Sequence, residues 1–204
     1  MHARTDRLLL RPGYLEDAAA LAQGIGDPAV ARNLATVPLP YGEADAREWL
    51  AQTPGDGDMR FLIHARTHGR LRLVGGIGLH WREDDGGFGD GLAHHELGYW
   101  IARPYWGLGF ATEAGRAVMQ IARAVGLSNV RAGHFADNPA SGAVLRKLGF
   151  RPTGRTAPRR SLARDGEVTC VLFEDAALDG VDSPELTRPN FSPTMREEWR
   201  LLAA

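Results

Sequence analysis

The stretch Trp100-Ile101-Ala102-Arg103-Pro104-Tyr105-Trp106-Gly107-Leu108-Gly109-Phe110-Ala111-Thr112-Glu113-Ala114 decides how the rest of the chain is read. An apolar, aromatic strand runs up to Pro104, a turn carries two glycines, and a helical pattern starts directly behind it. Ala114, Ala117, Val118, Ile121, Ala122 and Val125 recur at three- and four-residue spacing, with Glu113, Arg116, Gln120 and Arg123 on the opposite side and Gly126 as the expected C-cap. Glycine admits backbone angles closed to other residues and lets a ligand approach the main chain. The first turn of a helix has unpaired N–H groups and a partial positive charge, so such a junction can cradle a pyrophosphate. A plain strand-to-helix turn looks the same in isolation. A dinucleotide fingerprint fits poorly. Its third glycine would fall at Thr112, and Asn129, Val130 and Arg131 occupy the neighbourhood where its acidic residue belongs.

Upstream, Leu8 to Arg11 reads as a first strand stopped by Pro12-Gly13. Asp17 to Ile25 and Glu43 to Gln52 read as helices, separated by a loop through Val37-Pro38-Leu39-Pro40. Strands follow at Arg60 to Ala65 and Arg70 to His80, around His68-Gly69. After an acidic, glycine-rich loop from Asp84 to Gly91 comes a strand from His95 to Ala102. Downstream, Val130 to Ala136 is a strand, and Asn138-Pro139 opens a helix that ends at Gly149. Val168 to Phe173 is a late apolar strand. This order predicts one α/β domain with a mixed sheet over residues 1–178. Residues 179–204 carry Pro184, Pro189 and Pro193 and a short helical pattern from Met195 to Leu202 with Trp199 on its apolar side. They are expected to form a tail that wraps the domain or contacts a partner.

Composition removes several function classes. The 204 residues carry 24 Lys+Arg against 25 Asp+Glu, a net charge of −1, which argues against a dedicated nucleic-acid binder. Lys147 is the only lysine, and it lies in Leu-Arg-Lys-Leu-Gly. A Walker A loop is therefore excluded, and a Schiff-base enzyme would have to use this one residue. Codon bias in a GC-rich genome accounts for arginine over lysine without altering the fold. Glycine, at 25 residues, exceeds the usual share of about 7%. The single cysteine, Cys170, fits a reducing compartment. The N-terminus is neither a signal peptide nor an anchor, no apolar run approaches about 18 residues, and a cytoplasmic location is expected.

The glycine stretch, Pro104-x-x-Gly107-x-Gly109-x-Ala111-Thr112-Glu113-Ala114, resembles the acyl-CoA pyrophosphate loop of the GNAT N-acetyltransferase superfamily. Three further segments match in register. Thr5-Asp6-Arg7-Leu8-Leu9-Leu10-Arg11-Pro12 resembles the opening strand of the RimJ/RimL-like branch, which acetylates ribosomal-protein N-termini. Glu96-Leu97-Gly98-Tyr99-Trp100-Ile101 resembles its strand before the loop. Asn138-Pro139-Ala140-Ser141, with Lys147-Leu148-Gly149-Phe150, resembles its following helix. The matching segments span residues 5–175.

The resemblance implies a GNAT-like fold, with a mixed, mainly antiparallel sheet flanked by helices, and an acetyl-CoA-dependent N-acetyltransferase. Gly107, Leu108, Gly109, Phe110 and Ala111 would offer backbone N–H groups to the pyrophosphate, and Thr112 a hydroxyl. Tyr99, Trp100 and Ile101 would pair with the pantetheine arm, and an N–H there would face the thioester oxygen. Asn138 and Ser141 would line the cleft near the sulfur, and each is also an ordinary helix-capping residue. Glu96 is the candidate base, directly or through water, or else a strand carboxylate satisfied by neighbours. Ser141 is the alternative proton carrier, acting on the departing thiolate. Many members place a tyrosine acid seven residues after the asparagine; here that position is Leu145, as is common in this branch. Transfer would be direct, leaving Cys170 a buried, inert thiol.

No metal is expected. His94 and His95 should fall on opposite strand faces, and no HExxH or CxxC spacing joins them to His64, His80 or His134. The arginines at 151, 155, 159, 160 and 164 read as a solvated hairpin, or as contacts to the CoA 3′-phosphate or an acidic acceptor. Lys147 is a candidate cation for the CoA phosphates. The expected partners are acetyl-CoA and an amine acceptor, with no membrane contact and a homodimer left open. The acceptor would be a peptide N-terminus, an amino acid, a polyamine or an aminoglycoside. An acyl-CoA-binding or regulatory protein of the same fold without transfer activity is the competing reading.

Overall fold

The computed structural model describes residues 1–55, 57–66, 69–84 and 86–176. The expected tail at 179–204 lies outside them. The described strands are β1 (Ala3–Arg4), β2 (Leu8–Arg11), β3 (Met59–Ala65), β4 (Arg72–Arg82), β5 (His94–Ile101), β6 (Val130–Phe135), β7 (Phe150–Ser161) and β8 (Gly166–Asp175). They form one sheet in the order β1-β2-β3-β4-β5-β6-β8-β7. Every pairing is antiparallel except that of β5 with β6. A parallel pair needs a crossover. Here α4 (Phe110–Ala124) supplies it, so the helix predicted from the apolar period follows the glycine turn directly. This is the mixed, mainly antiparallel architecture the sequence led us to expect.

Strand alternation divides the side chains between two faces. On one, Met59, Phe61, Ile77, Leu79, Leu97 and Ile101 pack against Phe110, Ala114, Val118 and Ala122 of α4 and Leu145 and Leu148 at α5 (Pro139–Lys147). Burying each large apolar side chain contributes roughly 1.5–3 kcal/mol, which ties both helices to this face. On the other face, Ala18, Leu21 and Ile25 of α1 (Ala18–Ile25) and Ala46 of α3 (Glu43–Ala51) cover Leu62, with Trp100 packed beside them. A satellite cluster of Phe88, Phe135, Cys170 and Leu172 lies under the acidic loop.

Several elements escaped the sequence reading, β1 among them. The turn of helix α2 (Pro28–Ala31) is another; it is capped by Asp27, whose Oδ1 accepts the Ala29 N–H at 2.8 Å. β7 is the first arm of the hairpin expected at the arginine run, although its Phe-Arg-Pro-Thr-Gly-Arg-Thr-Ala-Pro-Arg-Arg-Ser has almost no apolar alternation. It forms because it lies at the edge of the sheet. There one side of the ladder needs no partner and Pro152 and Pro158 are tolerated. The arginine run is thus one arm of the β7–β8 hairpin.

Candidate active site

The parallel pair is short. β5 and β6 are in register only over His95↔Val130, Glu96↔Arg131 and Leu97↔Ala132. Beyond Leu97, β5 continues to Ile101 against β4, whereas β6 continues to Phe135 against β8. A gap therefore opens between the two strands. The Ala102 N–H bonds to the Val74 carbonyl at 2.8 Å, so by antiparallel alternation the main-chain groups of Ile101 and Tyr99 point away from β4 and into the gap. The Ile101 carbonyl there accepts Nε1–H of Trp106 at 2.6 Å. Tyr99 presents its N–H and C=O, and Ile101 its N–H, along an edge that an extended ligand can pair with.

The glycine turn sits at the end of this edge. Gly107 (φ +77°) and Gly109 (φ +79°) both adopt the left-handed conformation, and Gly109 is the N-cap of α4. A Cβ on Gly107 would touch nothing, so backbone angle rather than crowding requires glycine. Phe110 and Thr112 are buried, and Leu108 and Trp106 are exposed around the turn. Leu148 packs so closely on Gly115 that a Cβ there would lie 2.6 Å from its Cδ1. That contact brings the C-terminal end of α5, with the exposed Lys147, beside the early turns of α4.

The far wall of the gap belongs to α5. Its N-cap, Asn138, accepts the Ser141 N–H with Oδ1 at 3.4 Å. The Tyr99 hydroxyl reaches across to Ser141, 2.7 Å from Oγ and 3.0 Å from the carbonyl oxygen. Burial pushes the Tyr99 hydroxyl up to about 12, so it is a neutral phenol with one proton to donate. Leu145, one turn further on, is wholly buried in the core. Hydroxyls at this wall are those of Tyr99 and Ser141. The sequence reading gave Tyr99 a main-chain role only; its side-chain link across the gap depends on where α5 docks. His134, on the diverging half of β6, packs its ring over Gly142 and places Nδ1 2.8 Å from the Phe135 carbonyl.

Because α4 and α5 cover one face, the gap opens toward the other. There Glu96 holds two guanidiniums, Arg159 on Oε1 and Arg82 Nε at 3.3 Å on Oε2. Arg159 reaches it from the hairpin. Arg164 forms a bidentate pair with Asp137 at 2.9 and 3.0 Å, joined by Arg32 at 3.2 Å. These arginines tie the hairpin to the gap's rim. Opposite Glu96 in the β4–β5 register stands His80, whose Nδ1 lies 3.7 Å from Asp58.

The neighbouring histidines differ. His94 packs against Phe88 and His95 against Trp81, on opposite faces as expected, and among the described residues neither ring finds a partner at hydrogen-bond geometry. Burial pushes both below the usual histidine range. Among the described residues no group of three or more His, Cys, Asp or Glu is arranged to hold a metal. No described helix is long and apolar enough to cross a membrane. Cys170 is buried, and burial pushes its thiol up to about 11.

Comparison with known proteins supports the same assignment. The sequence profile of the acetyltransferase (GNAT) domain matches residues 7–151. An uncharacterized N-acetyltransferase of Bacillus subtilis, YoaA, is 30% identical over 156 residues, which cover 74% of this chain and 82% of that protein. A GNAT-family acetyltransferase from Bacillus anthracis superposes with a TM-score of 0.68 at 20% identity, covering 85% of this chain and 97% of the other. RimL, a ribosomal-protein α-N-acetyltransferase solved with coenzyme A, superposes with a TM-score of 0.67 at 16% identity, over 85% and 97%. The fold, the strand-to-glycine-to-helix junction and the family match agree: the chain belongs to the GNAT acetyltransferase family.

Proposed function

We propose that this protein moves the acetyl group of acetyl-CoA to a primary amine by direct attack. The carrying observation is the divergence of β5 from β6 next to the N-terminal turn of α4. It juxtaposes an edge for an extended amide-bearing arm with a cradle for the pyrophosphate at that arm's end. Gly107 to Ala111 and Thr112 would hold the phosphates, with Lys147 as a nearby cation. Tyr99 and Ile101 would pair with the arm, whereas Trp100, expected to pair as well, turns its main chain to β4; Asn138 and Ser141 would flank the sulfur.

The chemistry needs a C–N bond formed and a C–S bond broken, with the electron pair leaving on sulfur. A main-chain N–H of β5 would stabilise the oxyanion. The Ser141 hydroxyl, when Tyr99 donates to its Oγ, is free to donate to the departing thiolate. Glu96 lies on the open face with its charge offset by Arg159 and Arg82. Cys170 is buried and has no part in the transfer. Resemblance to the RimJ/RimL-like branch, together with the fold shared with RimL, favours a peptide N-terminus as acceptor and the cytoplasm as location.

The test is thiol release from acetyl-CoA in the presence of a peptide library and a panel of small amines. Acetylation of peptide α-amines is the expected result. CoA binding without thiol release from any amine refutes transfer and supports a binding protein.

A further inference from the structure

We propose that His80, oriented by Asp58, accepts the proton from the attacking amine; this rests on the transfer reading above. Three observations converge on it. The first is that Glu96 is already engaged, each oxygen holding a guanidinium. A carboxylate so paired has its negative charge offset by two cations. The second is placement. His80 and Glu96 are register partners on the same face of β4 and β5, as are Gly78 and Gly98, and Gly98 is where β5 and β6 begin to diverge. The His80 ring leans over this glycine floor. A methyl on Gly78 would come within 3.1 Å of Nε2, and one on Gly98 would lie 4.0 Å from Cδ2. With no side chain on either glycine, Nε2 overlooks the mouth of the gap.

The third observation is the partner. Asp58 approaches Nδ1 at 3.7 Å and is itself fixed by the Trp81 N–H, which donates to Oδ1 at 2.8 Å. Burial pushes the Asp58 carboxyl up, but His80 and this N–H more than offset it and hold Asp58 below the usual range, as an anion. A carboxylate at Nδ1 favours the tautomer with the lone pair on Nε2 and offsets the charge of the imidazolium. His80 is 46% exposed at its side chain, so an acceptor can reach it. His64, His94 and His95 are buried, and His134 lies on the face that α5 covers. The other charged groups on the His80 side of the sheet include Arg60 from β3, Arg82 from β4, Glu96 from β5, Arg131 from β6 with its partner Asp90, and Arg159 from β7.

The protons balance. An ammonium carries two more protons than the product amide; one ends on the thiolate, and the other passes from nitrogen to His80 Nε2 and then to solvent. The C–N bond forms from the lone pair so released as the C–S bond breaks.

The test uses the full chain and the best amine from the acceptor screen. His80→Gln should lower kcat about 100-fold, remove the acid limb of the pH–rate profile, and leave the acetyl-CoA KM within about 2-fold of the wild type. His80→Ala should regain activity with added imidazole. Asp58→Asn should lower kcat without changing the acetyl-CoA KM. Persistence of the acid limb in His80→Gln, or its loss in Glu96→Gln alone, overturns the assignment. A wild-type protein that binds CoA but releases no thiol with any amine overturns the parent reading as well, so the two failures are distinguishable.

Discussion

Arg7 and Glu113 are 106 residues apart in the chain, yet Arg7 Nε donates to Glu113 Oε2 at 2.7 Å and the Arg7 N–H to Oε1 at 3.0 Å. Thr5 Oγ1 adds a bond to the same Oε1 at 2.5 Å. From this anchorage Arg7 Nη1 reaches the Leu108 carbonyl at 2.9 Å, inside the glycine turn, and its guanidinium lies 4.8 Å over the Phe110 ring. The first strand thereby braces the turn expected to hold the phosphates. Thr5 and Arg7 belong to the opening segment whose family resemblance had no evident chemical role.

Glu113→Gln should loosen that brace. Arg7 is half-exposed, so the pair contributes modestly to overall stability. A weaker hold on the turn should instead raise the acetyl-CoA KM by about 5-fold, roughly 1 kcal/mol, with kcat little changed. Steady-state kinetics against acetyl-CoA decide it. An unchanged KM would mean that the turn holds its shape without the brace.

Gly109→Ala should cost about 1–2 kcal/mol, because a Cβ is strained at φ +79°. Space is not the obstacle, since the nearest atom to the new Cβ would be Arg7 Nη2 at 3.6 Å. Urea denaturation should show the loss, and the acetyl-CoA KM should rise with it. A variant as stable as the parent would contradict the conformational argument.

Leu145→Tyr puts back the tyrosine that many family members carry. Leu145 is fully buried against the core, so the larger side chain should destabilise by about 1–3 kcal/mol through overpacking. It should not increase kcat. A faster enzyme would show that the hydroxyls of Tyr99 and Ser141 leave room for a better acid.

Stability should fall in two stages on acidification. Burial lowers His64, His94 and His95 below their ordinary 6.5. Above that value neither folded nor unfolded chain binds these protons, so nothing is lost. As pH drops below it, the unfolded chain takes up protons that the folded chain refuses, and stability declines. Asp17, Asp58, Asp90, Glu113 and Asp137 are held below the usual carboxylate range, where hydrogen bonds and charges outweigh burial. Their contribution is present above about pH 4 and is lost as pH falls further. Urea midpoints at pH 7.5, 5.5 and 4 should decrease in that order; a flat profile from 7.5 to 5.5 would rule out the histidine stage.

Sequence by itself determined the order of elements around the glycine turn. Local rules suffice there. The apolar period of α4, the left-handed preference of Gly107 and Gly109, and Asn138-Pro139 at a helix start each act within a few residues. It also determined that His94 and His95 part to opposite faces, since strand alternation allows nothing else. It read β7 only as an arginine-bearing hairpin, because the strand's pairing comes from its edge position rather than from its own hydrophobic pattern.

Tertiary structure alone decided the partners. That Glu96 is gripped by Arg159, that Tyr99 meets Ser141 and that Arg7 braces Leu108 are all contacts across dozens of residues. Their residues carry no local signal of one another. Side-chain chemistry names the groups able to act, but reach is set by how strands diverge and helices dock. The same docking sets His80, one histidine among seven in the sequence, over a glycine floor at the mouth of the gap.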